Sequence, residues 1–298
     1  MKNLFSPKKA VIILSFFCSA MVSAHTIDNG VLIIDEGTTA LEPREFYGNT
    51  EITSILFPSS LTKIGNLAFC GCTELTEVEI PGTVTEIQWS AFNACKNLKS
   101  AKIGDGTTTI GNMAFYGMPV LRSINMADSV RTVGDYAFKS CEALMVVNFS
   151  PKLSRLGESA FYGCTSLQYI EIPEGIYTIW AYTFKNCSAL REVSLPKSLI
   201  KIDEAAFYAC TSLESIVIPD NVSIVGAYCF KNCNKLKDIT LPNKLTQIRE
   251  AALYATAIET LQLPASVTSV GPYACKNCTS LNTLILPDSL TSIGEAAF

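Results

Sequence analysis

The chain has 298 residues, of which 48% are hydrophobic and 17% charged, and its formal net charge at pH 7 is −4. A chain of this length and composition can bury a large core. It is mildly acidic and has no basic run, whereas nucleic-acid phosphates need clustered Lys and Arg side chains. We therefore expect no nucleic-acid partner.

Residues 1–24 have the pattern of a secretory signal peptide. Three lysines precede an apolar run over residues 10–17, and a cleavage site of small residues ends at Ala24. Cleavage would change the net charge from −4 to −7, since three lysines and no acidic residue are lost. No second long apolar run follows, so we expect a secreted or cell-surface protein without a transmembrane segment in the mature chain. An uncleaved N-terminal anchor is the alternative.

Residues 25–45 precede the first full copy of a repeat. They contain the apolar run Val-Leu-Ile-Ile at residues 31–34, without the complete repeat pattern. The open end of a stack of repeats needs a cover. We therefore predict that residues 25–45 form an N-terminal cap.

A repeat of 23 residues occupies residues 46–298, and we call its most regular position the anchor. Successive anchors are 23 residues apart, except for one step of 22 between Leu253 and Cys275. A fixed period of this size is typical of a solenoid, in which each unit buries its apolar face against its neighbours. The anchors are Phe46, Phe69, Phe92, Phe115, Phe138, Phe161, Phe184, Phe207, Phe230, Leu253, Cys275 and Phe298.

One unit, residues 157–173, shows the predicted elements in order. Its end, Leu-x-x-Ile-x-Ile-Pro, matches the strand of leucine-rich repeats, with Tyr169 and Glu171 pointing outward between inward isoleucines. An apolar pair fifteen and eighteen residues after each anchor predicts a short extended return segment. At the start of the unit, Gly157 predicts a turn whose backbone tolerates a positive φ. Phe161 and Cys164, three residues apart, predict one face of a single helical turn.

Twelve cysteines in an exported chain would ordinarily suggest disulfides. Eight of them instead stand three residues after an anchor, where they would form a ladder of small buried side chains. Met118 and Thr256 replace cysteine in two units, so cysteines in neighbouring units would lack a partner for a disulfide. Free buried thiols are therefore the favoured interpretation. Cys275 and Cys278 have redox or metal spacing, but with no second pair or His nearby a structural role is favoured.

Two stretches carry a family resemblance: residues 80–87, Ile-Pro-Gly-Thr-Val-Thr-Glu-Ile, and residues 91–95, Ala-Phe-Asn-Ala-Cys. With the repeated Leu-x-x-Ile-x-Ile-Pro they resemble the BspA-like class of leucine-rich repeats over residues 46–298. The resemblance implies a solenoid of short strands, turns and single helical turns. It also implies an exported or surface protein of the adhesin kind, which binds extracellular-matrix proteins or host cells.

Two repeated surfaces are candidates for binding. The first is the outward side of the strands, the strand face, which a curved array would make concave. Its outward apolar residues do not pack against the core and are the best candidate contacts. The alternative is that they only raise strand propensity. With one neighbouring carboxylate, the candidates are Val146, Tyr169, Glu171, Val217 and Ile285.

The second surface stands one residue after the anchor and alternates between Tyr and Lys; we call it the Tyr/Lys strip. Paired strands lie about 5 Å apart, so each Lys can lie between two Tyr rings in cation–π contact. The strip is either a glycan- or protein-binding surface or a solvated edge left by duplication of a double unit. Its candidate contact residues are Tyr162, Lys185, Tyr208 and Lys231.

Enzymatic chemistry is not indicated. The one histidine of the mature chain, His25, is at its N-terminus, so no catalytic triad can be assembled, and no phosphate-binding loop, metal site or cofactor site is expected. We predict a binding protein, most plausibly an adhesion module for protein or glycan ligands. The alternatives are a passive stalk for a missing C-terminal domain and the targeting arm of a secreted enzyme. Because the sequence ends at Phe298 without a polar terminal repeat, we expect a fragment that lacks its C-terminal cap.

Overall fold

The computed structural model describes residues 25–298, so the predicted signal peptide and Cys18 lie outside the described residues. Residues 25–298 form a solenoid of about 11 turns with a period of about 23 residues, built from strands and turns without a helix. The predicted repeat solenoid is therefore confirmed. Each coil contributes a three-residue strand and, on the return side, a two-residue strand.

The three-residue strands are β1 (Thr26–Asp28), β2 (Val31–Ile33), β4 (Ser54–Leu56), β6 (Glu77–Glu79), β8 (Ser100–Lys102), β10 (Ser123–Asn125), β12 (Val146–Asn148), β14 (Tyr169–Glu171), β16 (Glu192–Ser194), β18 (Ser215–Val217), β20 (Asp238–Thr240), β22 (Thr260–Gln262) and β24 (Thr283–Ile285). The return strands are β3 (Ala40–Leu41), β5 (Lys63–Ile64), β7 (Glu86–Ile87), β9 (Thr109–Ile110), β11 (Thr132–Val133), β13 (Arg155–Leu156), β15 (Thr178–Ile179), β17 (Lys201–Ile202), β19 (Ile224–Val225), β21 (Gln247–Ile248), β23 (Ser269–Val270) and β25 (Ser292–Ile293).

Strands of successive coils pair in parallel and in register with the repeat. Tyr169 of β14, for example, is paired with Glu192 of β16. The pairing is interrupted at β4/β6, β12/β14, β16/β18 and β20/β22 on one side, and at β13/β15 and β19/β21 on the return side. At the N-terminal end, β1 forms an antiparallel hairpin with β2, while β2 pairs in parallel with β4 and β3 with β5. The stack thus already begins within residues 31–41, and β1 is the part of the predicted cap that departs from the repeat. The capping role itself stays a prediction.

The anchor residues form a continuous aromatic stack through the core. The nine rings from Phe46 to Phe230 have successive centroids 5.2–5.8 Å apart and planes within 11° of parallel. Stacking of this kind stabilises the fold by a modest amount beyond the burial of each ring. The stack is the axis on which successive coils are aligned.

The cysteine ladder runs beside this stack. All eleven cysteines of residues 25–298 are free thiols, and ten of them are buried, as the sequence predicted. The structure adds a role that the sequence did not reveal. Each ladder thiol donates a hydrogen bond to the backbone carbonyl of the preceding coil's anchor, as Cys164 does to Phe138 at 3.3 Å. The thiols therefore link neighbouring coils as well as filling space.

The predicted single helical turn around each anchor is absent. Phe161 and Cys164 do lie in one tight turn, in which the Cys164 amide donates to the Phe161 carbonyl at 3.2 Å. The amides of Ser159, Phe161 and Gly163, however, donate to the next coil at 2.8–3.0 Å. Positive φ angles at Ser159 (52°) and Gly163 (75°) make this possible, and left-handed residues recur two before and two after nearly every anchor. A helix would have turned these amides back onto its own chain.

The predicted positive φ at Gly157 is wrong, because that glycine is needed for close packing instead. Gly157 is not among the residues with positive φ. A Cβ built on it would lie 2.4 Å from the carbonyl carbon of Gly134 in the preceding coil. Where Trp180 and Arg249 stand at the equivalent position, the return strands lose their pairing, between β13 and β15 and between β19 and β21. At Asp203 the pairing persists.

We expect Gly157→Ala to lower the free energy of unfolding by about 1–3 kcal/mol, as a steric clash in a packed core does. Gly163→Ala is the matched control, because no backbone blocks its Cβ and the chain itself places Ala94, Ala209 and Ala255 at that left-handed position. It should cost about 1 kcal/mol, the lower end of the penalty for a Cβ in the left-handed region. Urea denaturation of both variants tests this, and equal costs would contradict the packing role of Gly157.

Candidate functional site

The strand face presents its first and third strand residues to solvent, as the alternation predicted. Val146, Tyr169 and Ile285 are 46–48% exposed and Val217 is 66% exposed, while the residues between them are buried or half-buried. Glu171 is also exposed. The structure therefore places all five candidate residues on one continuous side of the solenoid. Their role in binding stays a prediction.

Three of these residues line one groove. Strands β12 and β14 are not hydrogen-bonded to each other, whereas β14 and β16 are. The groove between β12 and β14 has a volume of about 590 Å³ and is lined by Val146, Tyr169 and Glu171. Met145, Phe149 and two prolines, Pro151 and Pro173, add to its apolar walls.

A bulky inward side chain accompanies this interruption. Phe149 stands at an inward position that holds Ile172 in the next unit, and its ring packs edge-on against Phe161, with centroids 5.7 Å apart. Phe57 makes the same contact with Phe69 at 5.9 Å, and β4 and β6 are likewise unpaired. The pairs β16/β18 and β20/β22 are unpaired as well, with Leu195 and Leu241 at that inward position, so a second ring is not required for an interruption.

Carboxylates surround the exposed ring of the groove. The Tyr169 hydroxyl donates to Glu171 Oε2 at 3.4 Å, and Glu192 is paired with Tyr169 across the strands. Partial burial and these two carboxylates raise the pKa of the Tyr169 hydroxyl, so the ring stays neutral at physiological pH. The groove combines apolar walls with one negatively charged edge.

The other strand-face candidates lie farther along the solenoid. Val217 lines a separate groove of about 680 Å³ with Glu192, Lys197 and Asp220. Ile285 is in β24, three coils beyond Val217, and does not line either groove. Only Val146, Tyr169 and Glu171 are brought together.

The Tyr/Lys strip has the predicted geometry at Lys139 and Lys185, whereas Lys231 contacts only one ring of the strip, Tyr254 at 4.7 Å, and Lys276 contacts none. The Lys139 ammonium lies 5.9 Å from the Tyr116 ring centroid and 4.5 Å from that of Tyr162. Lys185 lies 5.5 Å from Tyr162 and 4.8 Å from Tyr208. These distances are within the range of cation–π contact.

Each lysine of the strip also lies near an aromatic ring of its own coil, which the sequence analysis missed. Lys185 lies 5.2 Å from the Tyr182 ring, and the Tyr182 hydroxyl donates to Glu204 of the next coil at 3.1 Å. Tyr208 in turn accepts a hydrogen bond from Asn232. The signal was a Tyr two residues before the anchor in every unit that carries Lys: Tyr136, Tyr182, Tyr228 and Tyr273. The polar groups of the strip thus bond to one another or to the next coil. This is what we expect of a surface that stabilises the solenoid rather than one that binds a ligand.

A third surface was also missed. On the return side, Tyr177 (57% exposed), Ile200 and Trp180 (41% exposed) form an apolar patch on two adjacent coils. Tyr177 and Ile200 interrupt a row that is otherwise mostly Thr and Ser, in which Thr hydroxyls donate to the preceding coil, as Thr85 does to Thr62. That interruption was visible in the sequence. The strand face is therefore not the only exposed apolar surface among the described residues.

Residues 25–298 contain no group of three or more His, Cys, Asp or Glu side chains arranged to hold a metal ion. No helix long and apolar enough to cross a membrane occurs in this part of the chain. His25 is held in place, with its ring 3.0 Å from Glu45 and 5.5 Å from the Phe46 ring centroid.

Comparison with known proteins agrees with this geometry. A solenoid whose coils each add one short strand to a parallel ladder, with Leu and Ile inward, defines the class of leucine-rich-repeat proteins. The family model of the BspA-type leucine-rich-repeat region matches in six copies, over residues 39–164, 108–214 and 200–298. The chain belongs to the BspA-type leucine-rich-repeat family. No curated protein sequence matches it significantly.

Several solved structures share the fold. A leucine-rich repeat protein from Bacteroides ovatus is 25% identical, with a TM-score of 0.65 over 94% of this chain and 91% of its own. A leucine-rich cell surface protein from Faecalibacterium prausnitzii is 22% identical, with a TM-score of 0.54 over 94% and 79%. The pneumococcal vaccine antigen PcpA is 18% identical, with a TM-score of 0.57 over 91% and 82%. The last two likenesses show the fold alone.

Proposed function

We propose that the chain is an exported or cell-surface binding module that recognises a protein ligand through its strand face, as an adhesin does, and that it is not an enzyme. The observation that carries the proposal is the groove between β12 and β14, where Val146 and Tyr169 are exposed beside Glu171. Exposed apolar side chains rimmed by polar groups are typical of interaction sites. The family relationship supports a binding role.

The repeat gives this surface a defined geometry. Adjacent coils are about 5 Å apart, so Val217, two coils from Tyr169, lies about 10 Å farther along the face, or somewhat more across the unpaired strands. One protein ligand of ordinary interface size can cover both grooves, since such interfaces bury about 800 Å² on each partner. A short peptide would fill one groove only.

We expect Tyr169→Ser to weaken binding at least tenfold, because buried aromatic side chains carry much of the energy of an interface. Serine is the chain's own residue at this position in Ser100 and Ser215, so the fold should be retained. The measurement is surface plasmon resonance of the purified chain over immobilised fibronectin, laminin and collagen. A double variant with Val217→Thr, a residue found at the equivalent Thr240, should bind more weakly still.

Tyr177→Ser is the matched control, because it removes an equally exposed tyrosine from the return side, where Ser154 and Ser223 stand in equivalent positions. It should bind as the unaltered chain does. Loss of binding in this control but not in Tyr169→Ser would move the contact surface to the return side. No saturable binding by the folded chain would instead favour a stalk or a targeting arm.

A further inference from the structure

At the anchor and at the ladder position three residues later, one unit of the solenoid carries two thiols, whereas every other unit carries at most one. Cys275 replaces the anchor that is Phe in most units, and Cys278 occupies the cysteine ladder three residues later. Every other ladder cysteine follows a Phe at that spacing. Here the side chain that would have been an aromatic ring is a second sulfur.

The backbone already holds the two residues at a distance that suits a disulfide. The amide of Cys278 donates to the carbonyl of Cys275 at 3.2 Å, which closes a tight turn. The Cα atoms across such a turn are less than about 7 Å apart, and disulfides join Cα atoms about 4.4–6.8 Å apart. Joining the sulfurs therefore needs a side-chain rotation and no movement between coils.

The two sulfurs differ from the remaining ladder thiols in acidity. Cys278 is half-buried, as are Leu281 and Leu284 of the same coil, and Cys275 is buried. Burial raises the pKa of ladder thiols such as Cys187 and Cys233 to about 12. The neighbouring Cys275 thiol instead lowers the pKa of Cys278, and Cys278 in turn raises that of Cys275. Cys278 is the attacking thiolate of the pair.

The preceding coil contributes to this environment. Thr256 replaces the ladder cysteine there, and its hydroxyl oxygen lies 3.2 Å from Cys278 Sγ. That hydroxyl donates to the Leu253 carbonyl at 3.0 Å, and a rotation about its C–O bond would let it donate to a Cys278 thiolate instead. When protonated, Cys278 Sγ donates to the Leu253 carbonyl at 3.0 Å. The site thus has a donor for the charged form and an acceptor for the neutral form.

We propose that Cys275 and Cys278 form a redox-active dithiol that exchanges with low-molecular-weight disulfides, a site separate from the strand face. The Cys278 thiolate attacks one sulfur of the disulfide R–S–S–R, forms a mixed disulfide and releases one thiolate, RS⁻. The Cys275 sulfur then attacks Cys278 Sγ, releases the second RS⁻ and gives its proton to solvent. The protein dithiol is oxidised by two electrons, and R–S–S–R is reduced to two thiols.

The test is oxidation of the reduced, folded chain by oxidised glutathione at pH 7, followed by alkylation of the remaining thiols in denaturant and peptide mapping by mass spectrometry. The expected product is a disulfide within the peptide that holds residues 275–278, formed at least tenfold faster than any modification of the buried ladder cysteines. Oxidation spread evenly over the ladder, or no disulfide at residues 275–278, would overturn the proposal.

The chain itself supplies both control variants. Cys275→Phe restores the usual anchor and should give a glutathione adduct on Cys278 that persists, because the resolving sulfur is gone. Cys278→Thr copies the residue at position 256 and should leave Cys275 unmodified, since that thiol is buried. A lasting adduct on Cys275 in the second variant, or none on Cys278 in the first, would show that the assignment of the attacking sulfur is wrong. Circular dichroism confirms that each variant is folded.

Discussion

Replacing Phe161 by Ala is expected to lower the free energy of unfolding by about 3–5 kcal/mol, as loss of a buried ring does. The Phe161 ring is fully buried and stacks between Phe138 at 5.3 Å and Phe184 at 5.8 Å. It also receives the edge of the Phe149 ring at 5.7 Å. The substitution would leave a cavity where three aromatic contacts meet, and neighbouring coils cannot collapse into it without losing their backbone pairing.

Phe161→Leu is the matched control, because Leu253 fills the same position in another unit. It should cost clearly less, about 1 kcal/mol, since most of the apolar volume is kept. Because a solenoid is held together by contacts between neighbours, the Ala variant should also uncouple the two halves and broaden the urea transition or split it in two. Equal stability of the Ala and Leu variants would show that Phe161 is not part of the packed interior.

The chain is expected to lose stability steeply above pH 9 because of its buried thiols. Burial raises the pKa of Cys141, Cys187 and Cys233 from 9.0 to about 12. It raises that of four more thiols well above 9.0: Cys95, Cys164, Cys210 and Cys229. Between pH 9 and pH 12 the unfolded chain therefore releases protons that the folded chain keeps, so stability falls as the pH rises.

Each such thiol costs about 1.4 kcal/mol per pH unit in this window. The seven together cost about 10 kcal/mol at pH 10, which is comparable with the whole stability of an ordinary domain. Below about pH 8 the thiols are protonated in both states and should have no effect on the pH dependence. Urea denaturation at pH 8, 9 and 10 measures the slope.

Cys187→Thr tests the source of that slope, because Thr256 shows that the ladder position accepts threonine. The variant should lose about 1.4 kcal/mol less than the unaltered chain between pH 9 and pH 10. Adding Cys210→Thr should double the difference. An unchanged slope in the double variant would assign the alkaline loss of stability to groups other than the buried thiols.

The stack and the ladder fix the backbone, so side chains that do not pack are free to differ from coil to coil. Tyr169 and its equivalents Ser100, Ser123 and Ser215 stand at one position of the repeat, yet only Tyr169 presents an aromatic ring there. The same holds for Tyr177 among the Thr and Ser of the return row. Exchanging such residues changes the surface with little change in the core, which makes variants at these positions informative about binding.

The solenoid, its period and its inward residues could all be predicted from the sequence. Each of these features depends on a pattern that recurs in nearly every coil: Phe anchors 23 residues apart, Leu-x-x-Ile-x-Ile strands and a cysteine three residues after the anchor. The sequence also predicted that Lys185 lies between Tyr162 and Tyr208, because stacking places equivalent positions side by side.

The contacts between coils could be read only from the three-dimensional structure, because they depend on side chains that are 23 residues apart in the sequence. Gly157 is conspicuous in the sequence as a turn residue, but its role is set by the Gly134 backbone of the preceding coil. The turn at Phe161 is not helical, since its amides pair with the next coil. The groove at Tyr169 lies where β12 and β14 are not paired, an interruption that no pattern within one repeat marks.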